Sequence, residues 1–446
     1  MSNAKNIAFV FIVGSWMLLQ SCSVSKQIHK QAQKILLQDT VINTGHIGIS
    51  IYDPATNTYL YNYNADKYFV PASNVKLFTL YAGMKYLGDS LVGLRYREQD
   101  GTTIIYPNAD PTFLHPSFPA QSIFRFLKSK QKIDFCTQYY TENLGKGWAW
   151  DDYNEPYMTE RNEFPIYGNL LRLYKQKDSV TGVPQNVRLS IDPLSKQYYN
   201  DTADIGLYRI PERNEFSLTV LSRQVNLNKT LVAPMVMGIN EVIDFLSDTL
   251  KKDVQLKSNL IGDGIDNNDK KLKVIHSQPT DSLLTPMMHN SDNFFGEQTL
   301  LMVSNEHLGY MNDEAIIDTL LKADLKDVPQ QPKWVDGSGL SRYNLFTPQS
   351  FVYILDKMKS EFGLERLKTI LPTGGEGTLK NYYNSDSGFI YAKTGSLSNQ
   401  IALSGFLITK KNKLLVFSLL TNNAIGDGWR VRRAYENFLK IFRERY

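Results

Sequence analysis

Residues 71–88 of this 446-residue chain read PASNVKLFTLYAGMKYLG. A proline at the start, a glycine at the end and apolar residues between them predict a helix over this segment. Because apolar side chains occupy nearly every face of that helix, we expect it to be buried in the centre of a domain. Ser73 and Lys76 are three residues apart and would lie on one face of this buried helix.

The pairing of Ser73 with Lys76 has a chemical meaning because burial disfavours an ammonium ion. Burial lowers the pKa of a lysine by as much as about 3–5 units, and the resulting neutral amine can take the proton of a nearby hydroxyl. The pair therefore predicts a nucleophile and its general base, the alternative being a helix-capping serine at 73. The same spacing recurs in the N-terminal segment and in a lysine-rich run, where we expect solvated amines: Ser2/Lys5, Ser23/Lys26 and Ser129/Lys132.

Two further short motifs follow in the chain, and each occurs once. Ser291-Asp292-Asn293 is the Ser-x-Asn motif, and Lys393-Thr394-Gly395 is the Lys-[Ser/Thr]-Gly motif. The second motif lies on a predicted strand at residues 389–394. Each motif is short, but the ordered set of three is more specific than any member alone.

The two ends of the chain carry the clearest strand patterns. Residues 46–52 and 58–61 are two strand-like runs on either side of a polar turn, and together they predict a hairpin. Residues 389–394, 401–408 and 414–420 predict an antiparallel meander, and a helix follows from about Trp429. We expect Arg432 and the other arginines of that helix to form a solvated face. Strands at both ends suggest one sheet, with an inserted β-rich region between the two halves.

The N-terminal segment has the features of an export signal. Residues 7–19 are mostly apolar, which is shorter than the roughly 20 residues of a spanning helix, and Lys5 precedes them. Leu19-Gln20-Ser21-Cys22 resembles a bacterial lipobox, so residues 1–21 are predicted to be a signal peptide and Cys22 a lipidated N-terminus. Cleavage of a plain signal peptide nearby is the alternative. The other cysteine, Cys136, is expected to be a small buried apolar residue.

The composition indicates a globular chain with no nucleic-acid footprint. Apolar residues make up 42% of the sequence, and the formal net charge is only +4. None of the six histidines has a metal-ligand spacing, so we expect no metal and no cofactor. Trp148 and Trp150 could line a glycan or peptide groove, but we expect them to be core residues.

The ordered motifs at Ser73, Ser291 and Lys393 resemble the active-site signature of penicillin-binding proteins and serine β-lactamases. Ser291 follows Ser73 by 218 residues, and such a long insertion resembles the class C low-molecular-mass penicillin-binding proteins, the D-alanyl-D-alanine carboxypeptidase/endopeptidase family. Other stretches fit that family, namely residues 108–112, 147–152, 336–341 and 371–379.

The resemblance implies an α+β fold in which an antiparallel sheet is flanked by helices, as in β-lactamases and transpeptidases. The predicted catalytic domain is discontinuous, at residues 23–94 and 276–446, and residues 95–275 form the β-rich insertion. The implied setting is the periplasm, with contact to the outer membrane only through the lipid on Cys22.

The resemblance also implies roles for the motif residues. Ser73 would attack the carbonyl of the penultimate D-alanine, and Lys76 would accept its proton. Ser291 would relay a proton to the leaving amine, Lys393 would keep that environment positive, and Asn293 would contact the lysine and the substrate amide. The acyl-enzyme is then hydrolysed by water.

The substrate-binding residues implied by the resemblance are Thr394, Gly395 and Ser396. The two hydroxyls and the charge of Lys393 suit the terminal carboxylate of a D-Ala-D-Ala stem peptide, and backbone N–H groups of Ser73 and Ser396 would form the oxyanion hole. The expected partners are peptidoglycan stem peptides, with β-lactam antibiotics as covalent inhibitors. The alternatives are a β-lactamase and a peptidoglycan-binding protein with little turnover.

Overall fold

The structure is a computed structural model that describes residues 27–138, 140–176, 179–193, 205–220, 230–258 and 272–446. These residues form two compact units. The terminal unit contains the described residues up to Asn74, together with Asp327–Lys333 and Asn344–Tyr446. The middle unit contains the described residues of Val75–Lys326, together with Trp334–Tyr343. The insertion boundaries at residues 95 and 275 stay a prediction.

The strands and helices are numbered in chain order. The strands are β1 His46–Asp53, β2 Thr58–Tyr63, β3 Ser90–Gln99, β4 Thr102–Pro107, β5 Ile133–Thr137, β6 Leu170–Gln176, β7 Ser179–Val183, β8 Arg188–Pro193, β9 Ile205–Arg209, β10 Glu215–Val220, β11 Leu231–Pro234, β12 Val254–Ser258, β13 Lys273–Pro279, β14 Ile390–Leu397, β15 Gln400–Ile408 and β16 Leu414–Asn422. Residues 27–32 are helical, and the longer helices are α1 Lys76–Tyr86, α2 Ser122–Ser129, α3 Ile239–Leu250, α4 Thr280–His289, α5 Asn293–Leu308, α6 Asp313–Lys322, α7 Pro348–Phe362, α8 Leu364–Ile370 and α9 Gly428–Arg445.

The terminal unit is built on one antiparallel sheet in the order β14-β15-β16-β1-β2. The predicted hairpin, meander and final helix are all confirmed, and strands from the two ends of the chain share this sheet. On one face, alternate residues such as Ile49, Phe417 and Leu419 share a hydrophobic core with Tyr435 and Phe438 of α9. On the other face, Gly48 lies against Pro348 of α7.

The middle unit combines helices with β-sheets. A mixed sheet has the order β12-β5-β4-β3-β13, and two three-stranded sheets have the orders β8-β10-β9 and β11-β6-β7. Helix α1 packs against α4 and α5, and its residues from Lys76 to Met84 are all buried. The buried central helix is therefore confirmed, and the architecture is α+β as expected.

Some single-residue expectations have different outcomes. Cys136 is buried, and burial raises the pKa of its thiol to about 11, as expected of an inert apolar residue. Trp150 is 64% exposed, so the expectation of a core residue is wrong for it. The signal segment and Cys22 lie outside the described residues. Within the described ranges, none of the helices has the length and apolar character needed to span a membrane.

Candidate active site

Ser73 lies on a single 3-10 turn, Ala72–Val75, which leads directly into α1 at Lys76. The predicted helix is thus divided, and the serine precedes the α-helical part. Ala72 has a φ of 48°, in the left-handed region that non-glycine residues rarely adopt. Such strain persists where the surroundings impose it and is concentrated at functional sites. The turn that carries Ser73 therefore begins with a left-handed residue.

Lys76 is fully buried at the first position of α1. Its Nζ donates hydrogen bonds to Asn293 Oδ1 at 2.7 Å and to the Ser338 carbonyl oxygen at 2.6 Å. Burial lowers the pKa of the Lys76 amine to about 8, although the carboxylates of Asp336, Asp292 and Glu297 oppose that shift. A lysine with this pKa is partly neutral near physiological pH, which is the state a general base requires.

Asn293 and Ser291 occupy the start of α5 in the same unit. Asp292 caps this helix by accepting a hydrogen bond from Phe295 N at 2.9 Å, which fixes Asn293 as the first helical residue. The Asn293 amide Nδ2 donates to the Tyr157 carbonyl at 3.0 Å, so its Oδ1 is left for Lys76. Ser291 itself has a φ of 58°, which is also in the left-handed region. The structure thus brings Lys76 and Asn293 together as predicted.

The loop at residues 336–341, for which the sequence predicts no role, contributes the second acceptor for Lys76, the Ser338 carbonyl oxygen. Gly337 and Gly296 touch backbone to backbone, and a Cβ at Gly337 would lie 2.5 Å from the Gly296 carbonyl. Thr79 Oγ1 donates to the Gly337 carbonyl at 2.7 Å, and Ser338 N donates to Glu297 Oε1 at 2.7 Å. These contacts fix the Ser338 carbonyl relative to both α1 and α5.

Glu297 joins this loop to a buried ionic cluster. Its Oε2 accepts from Arg161 Nη1 at 3.0 Å, and the same guanidinium donates to Asp313. Burial raises the pKa of the Glu297 carboxyl to about 7, with a further contribution from Asp336. Glu297 is four residues after Asn293, so both side chains lie on one face of α5. This spacing of four residues is the feature of the sequence that connects Glu297 with the site.

Asp336 holds the rest of the loop through its carboxylate. It accepts hydrogen bonds from Gly339 N at 2.8 Å, Ser341 N at 2.7 Å and Trp148 Nε1 at 3.0 Å. Asp336 is fully buried, so these donors satisfy a charge that water cannot reach. Residues 336–341 resemble the family, but their function as a support for Lys76 has no sequence signature because it acts through a backbone carbonyl.

The Lys-Thr-Gly motif lies on β14 in the terminal unit. Lys393 is fully buried, and its Nζ donates to the Thr394 carbonyl at 2.7 Å. A Cβ at Gly395 would lie 2.5 Å from the Pro71 carbonyl oxygen and 3.2 Å from Asn74 N. Only glycine allows this approach, so β14 packs directly on the turn that carries Ser73.

A row of polar side chains crosses the sheet behind β14. Asn74 Nδ2 donates to Ser404 Oγ at 3.1 Å, and Ser404 Oγ donates to Ser418 Oγ at 2.8 Å. Residues paired directly across neighbouring strands point to the same face. The register of the five strands aligns one residue from each, namely Lys393, Ser404, Ser418, Ser50 and Asn62.

The opposite face of β14 carries Thr394 and Ser396. Ser396 is exposed, and its Oγ accepts a hydrogen bond from Arg432 Nη2 at 2.7 Å. Arg432 belongs to α9 and is half-buried, whereas Arg433 and Arg445 are exposed, so the predicted solvated face is confirmed only in part. The remaining predicted site residue, Cys22, lies outside the described residues.

A comparison with known families decides the identity. Residues 28–440 match the model of the D-Ala-D-Ala carboxypeptidase 3 (S13) family. The chain belongs to this family. Membership confirms the predicted resemblance and the predicted activity of a serine-type D-Ala-D-Ala carboxypeptidase.

Individual members of the S13 family are distant in sequence but similar in fold. The chain is 24% identical to the D-alanyl-D-alanine carboxypeptidase of Actinomadura sp., over 88% of this chain and 80% of that protein. It is 22% identical to D-alanyl-D-alanine carboxypeptidase DacB of Haemophilus influenzae, over 86% of each chain. The crystal structure of penicillin binding protein 4 from Haemophilus influenzae superposes with a TM-score of 0.70 and 19% identity, covering 94% of this chain and 99% of that one. The predicted fold class is thereby confirmed.

Proposed function

We propose that Ser73 is the nucleophile of the hydrolase and that Lys76 is its general base. The observation that carries this proposal is the buried Lys76 amine, whose pKa is lowered to about 8 and which two acceptors hold in place. Nζ of Lys76 takes the proton as Ser73 Oγ forms a bond to the carbonyl carbon of the penultimate D-alanine. The bond to the leaving amine then breaks, and water hydrolyses the acyl-serine.

We assign the other motif residues to proton transfer and substrate binding. Ser291 passes a proton to the leaving amine, and the charge of Lys393 favours that transfer. Asn293 holds the base and contacts the substrate amide. Thr394 and Ser396 bind the carboxylate of the leaving residue, and Gly395 lets β14 approach the nucleophile turn. Backbone N–H groups of Ser73 and Ser396 are proposed to stabilise the oxyanion.

Covalent labelling with a fluorescent penicillin tests the nucleophile. One of the Haemophilus influenzae penicillin binding protein 4 crystal structures is a complex with a β-lactam, which supports this choice of probe. The wild-type protein should form a stable adduct, and Ser73→Ala should form none. Mass spectrometry of proteolytic peptides should locate the adduct on the peptide that contains Ser73. An adduct elsewhere, or equal labelling of Ser73→Ala, would contradict the assignment.

The substrate is tested by mass spectrometry of muropeptides before and after digestion. We expect loss of one D-alanine from pentapeptide stems, cleavage of D-Ala-diaminopimelate cross-links, or both, and neither change with Ser73→Ala. Rapid release of hydrolysed penicillin with unchanged muropeptides would indicate a β-lactamase instead. Binding of cell-wall fragments without turnover would indicate a binding protein.

We also propose that the protein is a periplasmic lipoprotein held at the membrane by a lipid on Cys22. The support is the sequence alone, namely the apolar residues 7–19 followed by Leu19-Gln20-Ser21-Cys22. Metabolic labelling with an alkyne fatty acid should mark the wild-type protein and leave Cys22→Ala unlabelled. Wild-type protein that is found without lipid in the soluble periplasmic fraction would indicate a plain signal peptide.

A further inference from the structure

A cavity of about 300 Å³ opens at the C-terminal end of α9 in the terminal unit, and none of the motif residues lines it. Its lining includes two buried apolar residues, Ile28 and Phe442, which also belong to the hydrophobic core of the unit. Three exposed cations line it as well, namely Lys411, Lys413 and Arg445, which we call the basic rim. A basic rim around an apolar floor suits a ligand that has both a negative charge and an apolar part.

The charges of the basic rim are not neutralised by carboxylates. Within the described ranges, no ion pair involves a member of the basic rim, although neighbouring cations do form them. Lys410 lies 4.0 Å from Glu444, and Arg443 pairs with Asp386 at 2.9 Å. The carboxylates near this end of α9 are therefore engaged with other cations, and the rim keeps its charge for a ligand.

Two contacts hold the lysines of the rim beside the cavity. Lys411 Nζ donates a hydrogen bond to the Arg445 carbonyl at 3.2 Å, and Lys413 Nζ lies 4.5 Å from the centre of the Tyr446 ring. An ammonium group has three donors, and the bond to Arg445 uses one of those on Lys411. The remaining donors can bind the oxygens of an anionic group.

The cavity also lies close to the proposed lipid anchor. Gln27 lines the cavity, and it follows Cys22 by only five residues. A chain of five residues spans at most about 18 Å. With a lipid on Cys22, the cavity is therefore held within that distance of the membrane surface. Anionic phospholipids at that surface have both a phosphate for the rim and an apolar part for the floor.

We infer that this cavity binds an anionic phospholipid of the membrane that carries the anchor. This inference rests on the proposed lipid on Cys22, because that lipid brings the cavity to the surface. The phosphate binds the basic rim, and the first acyl carbons cover the apolar floor. Arg432, which contacts Ser396, precedes Arg445 by thirteen residues, so the Lys-Thr-Gly strand segment lies about 20 Å further along α9. Binding at the cavity thus holds the other end of the helix, with that motif, away from the lipid.

Photo-cross-linking of the complete lipidated protein tests the inference. The protein is reconstituted in vesicles of phosphatidylglycerol and phosphatidylcholine in equal parts, or of phosphatidylcholine alone. Each preparation contains a trace of phospholipid with the matching headgroup and a diazirine close to it. Mass spectrometry of proteolytic peptides should place the phosphatidylglycerol cross-links on peptides that contain residues 27–31 or 441–446. Phosphatidylcholine should give far fewer cross-links there.

A triple variant removes the basic rim, namely Lys411→Gln, Lys413→Gln and Arg445→Gln. We expect the phosphatidylglycerol cross-link yield at the cavity to fall by roughly a hundredfold, because each basic residue near an anionic surface contributes about fivefold to binding. The matched control removes the same charge from exposed positions of the middle unit, with Lys132→Gln, Lys251→Gln and Lys257→Gln. It should leave the yield unchanged.

Several outcomes would overturn the inference. These are equal yields with the two lipids, an unchanged yield without the basic rim, and an equal loss in the control variant. A wild-type yield that does not fall as salt rises would do the same, because salt screens exposed charges. Loss of the cross-links on addition of inorganic phosphate at constant ionic strength would indicate a site for free phosphate instead of a lipid. Failure of the proposed anchor is separate, because it would appear as wild-type protein without lipid in the metabolic labelling.

Discussion

The surroundings of Lys76 and those of β14 position reactive groups by different means. Around Lys76, the middle unit buries five charged residues and joins them by hydrogen bonds to side chains and backbone groups, namely Lys76, Arg161, Glu297, Asp313 and Asp336. Along β14, the terminal unit relies on backbone register and on the missing side chain of Gly395. The first region therefore sets a protonation state, whereas the second sets a distance and presents hydroxyls.

Removal of the base itself should slow acylation most. Lys76→Met keeps most of the apolar stem of the side chain but has no proton acceptor, and a general base contributes about 10²–10⁴ to a rate. We expect the acylation rate constant with fluorescent penicillin to fall by roughly a thousandfold. Lys85→Met is the control, since Lys85 is an exposed lysine of the same helix, and its acylation rate should match the wild type. A Lys76→Met protein that acylates normally would refute the assignment of the base.

The second prediction tests whether acylation depends on the close approach of β14 to the turn that carries Ser73. Gly395→Ala would place a Cβ 2.5 Å from the Pro71 carbonyl, so the strand must move away from the turn that carries Ser73. Because a misplacement of about 1 Å can cost about a hundredfold in rate, we expect acylation to fall by that order. The time course of penicillin labelling measures it.

Gly405→Ala is the matched control for Gly395→Ala. A Cβ at Gly405 would lie 2.2 Å from the Tyr391 carbonyl, so the clash is as severe, but it falls at the other end of β14. We expect both variants to lose thermal stability and only Gly395→Ala to lose acylation in the folded fraction. Equal acylation losses would mean that β14 responds as a whole and that the close approach at Gly395 has no special function.

A third prediction concerns the protonation state set around Lys76. The reactive amine is neutral, so acylation should rise with pH through about 8, the pKa of Lys76. The negative charge of Glu297 raises that pKa, so Glu297→Gln should lower it and shift the midpoint of the pH profile to lower pH. Asp313→Asn, which alters the same ionic cluster without contacting Ser338, should leave the midpoint in place. A midpoint that moves to higher pH, or not at all, would show that Glu297 does not act on the amine.

The motifs and the sheet could be predicted from sequence because their signals are local. Short apolar runs beside polar turns predicted β1, β15 and β16, and the resemblance carried by Ser291-Asp292-Asn293 implied the contact of Asn293 with Lys76. The contact of Ser338 with Lys76 could not be predicted, because a backbone carbonyl serves as acceptor whatever the side chain is. The hydrogen bond from Arg432 to Ser396 could not be predicted either, because the helical pattern places Arg432 outside the apolar face and only the fold brings Ser396 beside it.

The polar row behind β14 gives the smallest expected effect and the sharpest contrast with the Lys76 cluster. Asn74→Ala removes the donor to Ser404 Oγ in a fully buried position, which should cost about 1–3 kcal/mol of unfolding free energy in urea titration. Asn62→Ala, at the exposed end of the same row, should change it by less than about 0.5 kcal/mol. Because neither residue is charged, the midpoint of the acylation pH profile should stay where Lys76 sets it. A shifted midpoint in Asn74→Ala would show that the terminal unit also controls protonation and would remove the distinction between the two regions.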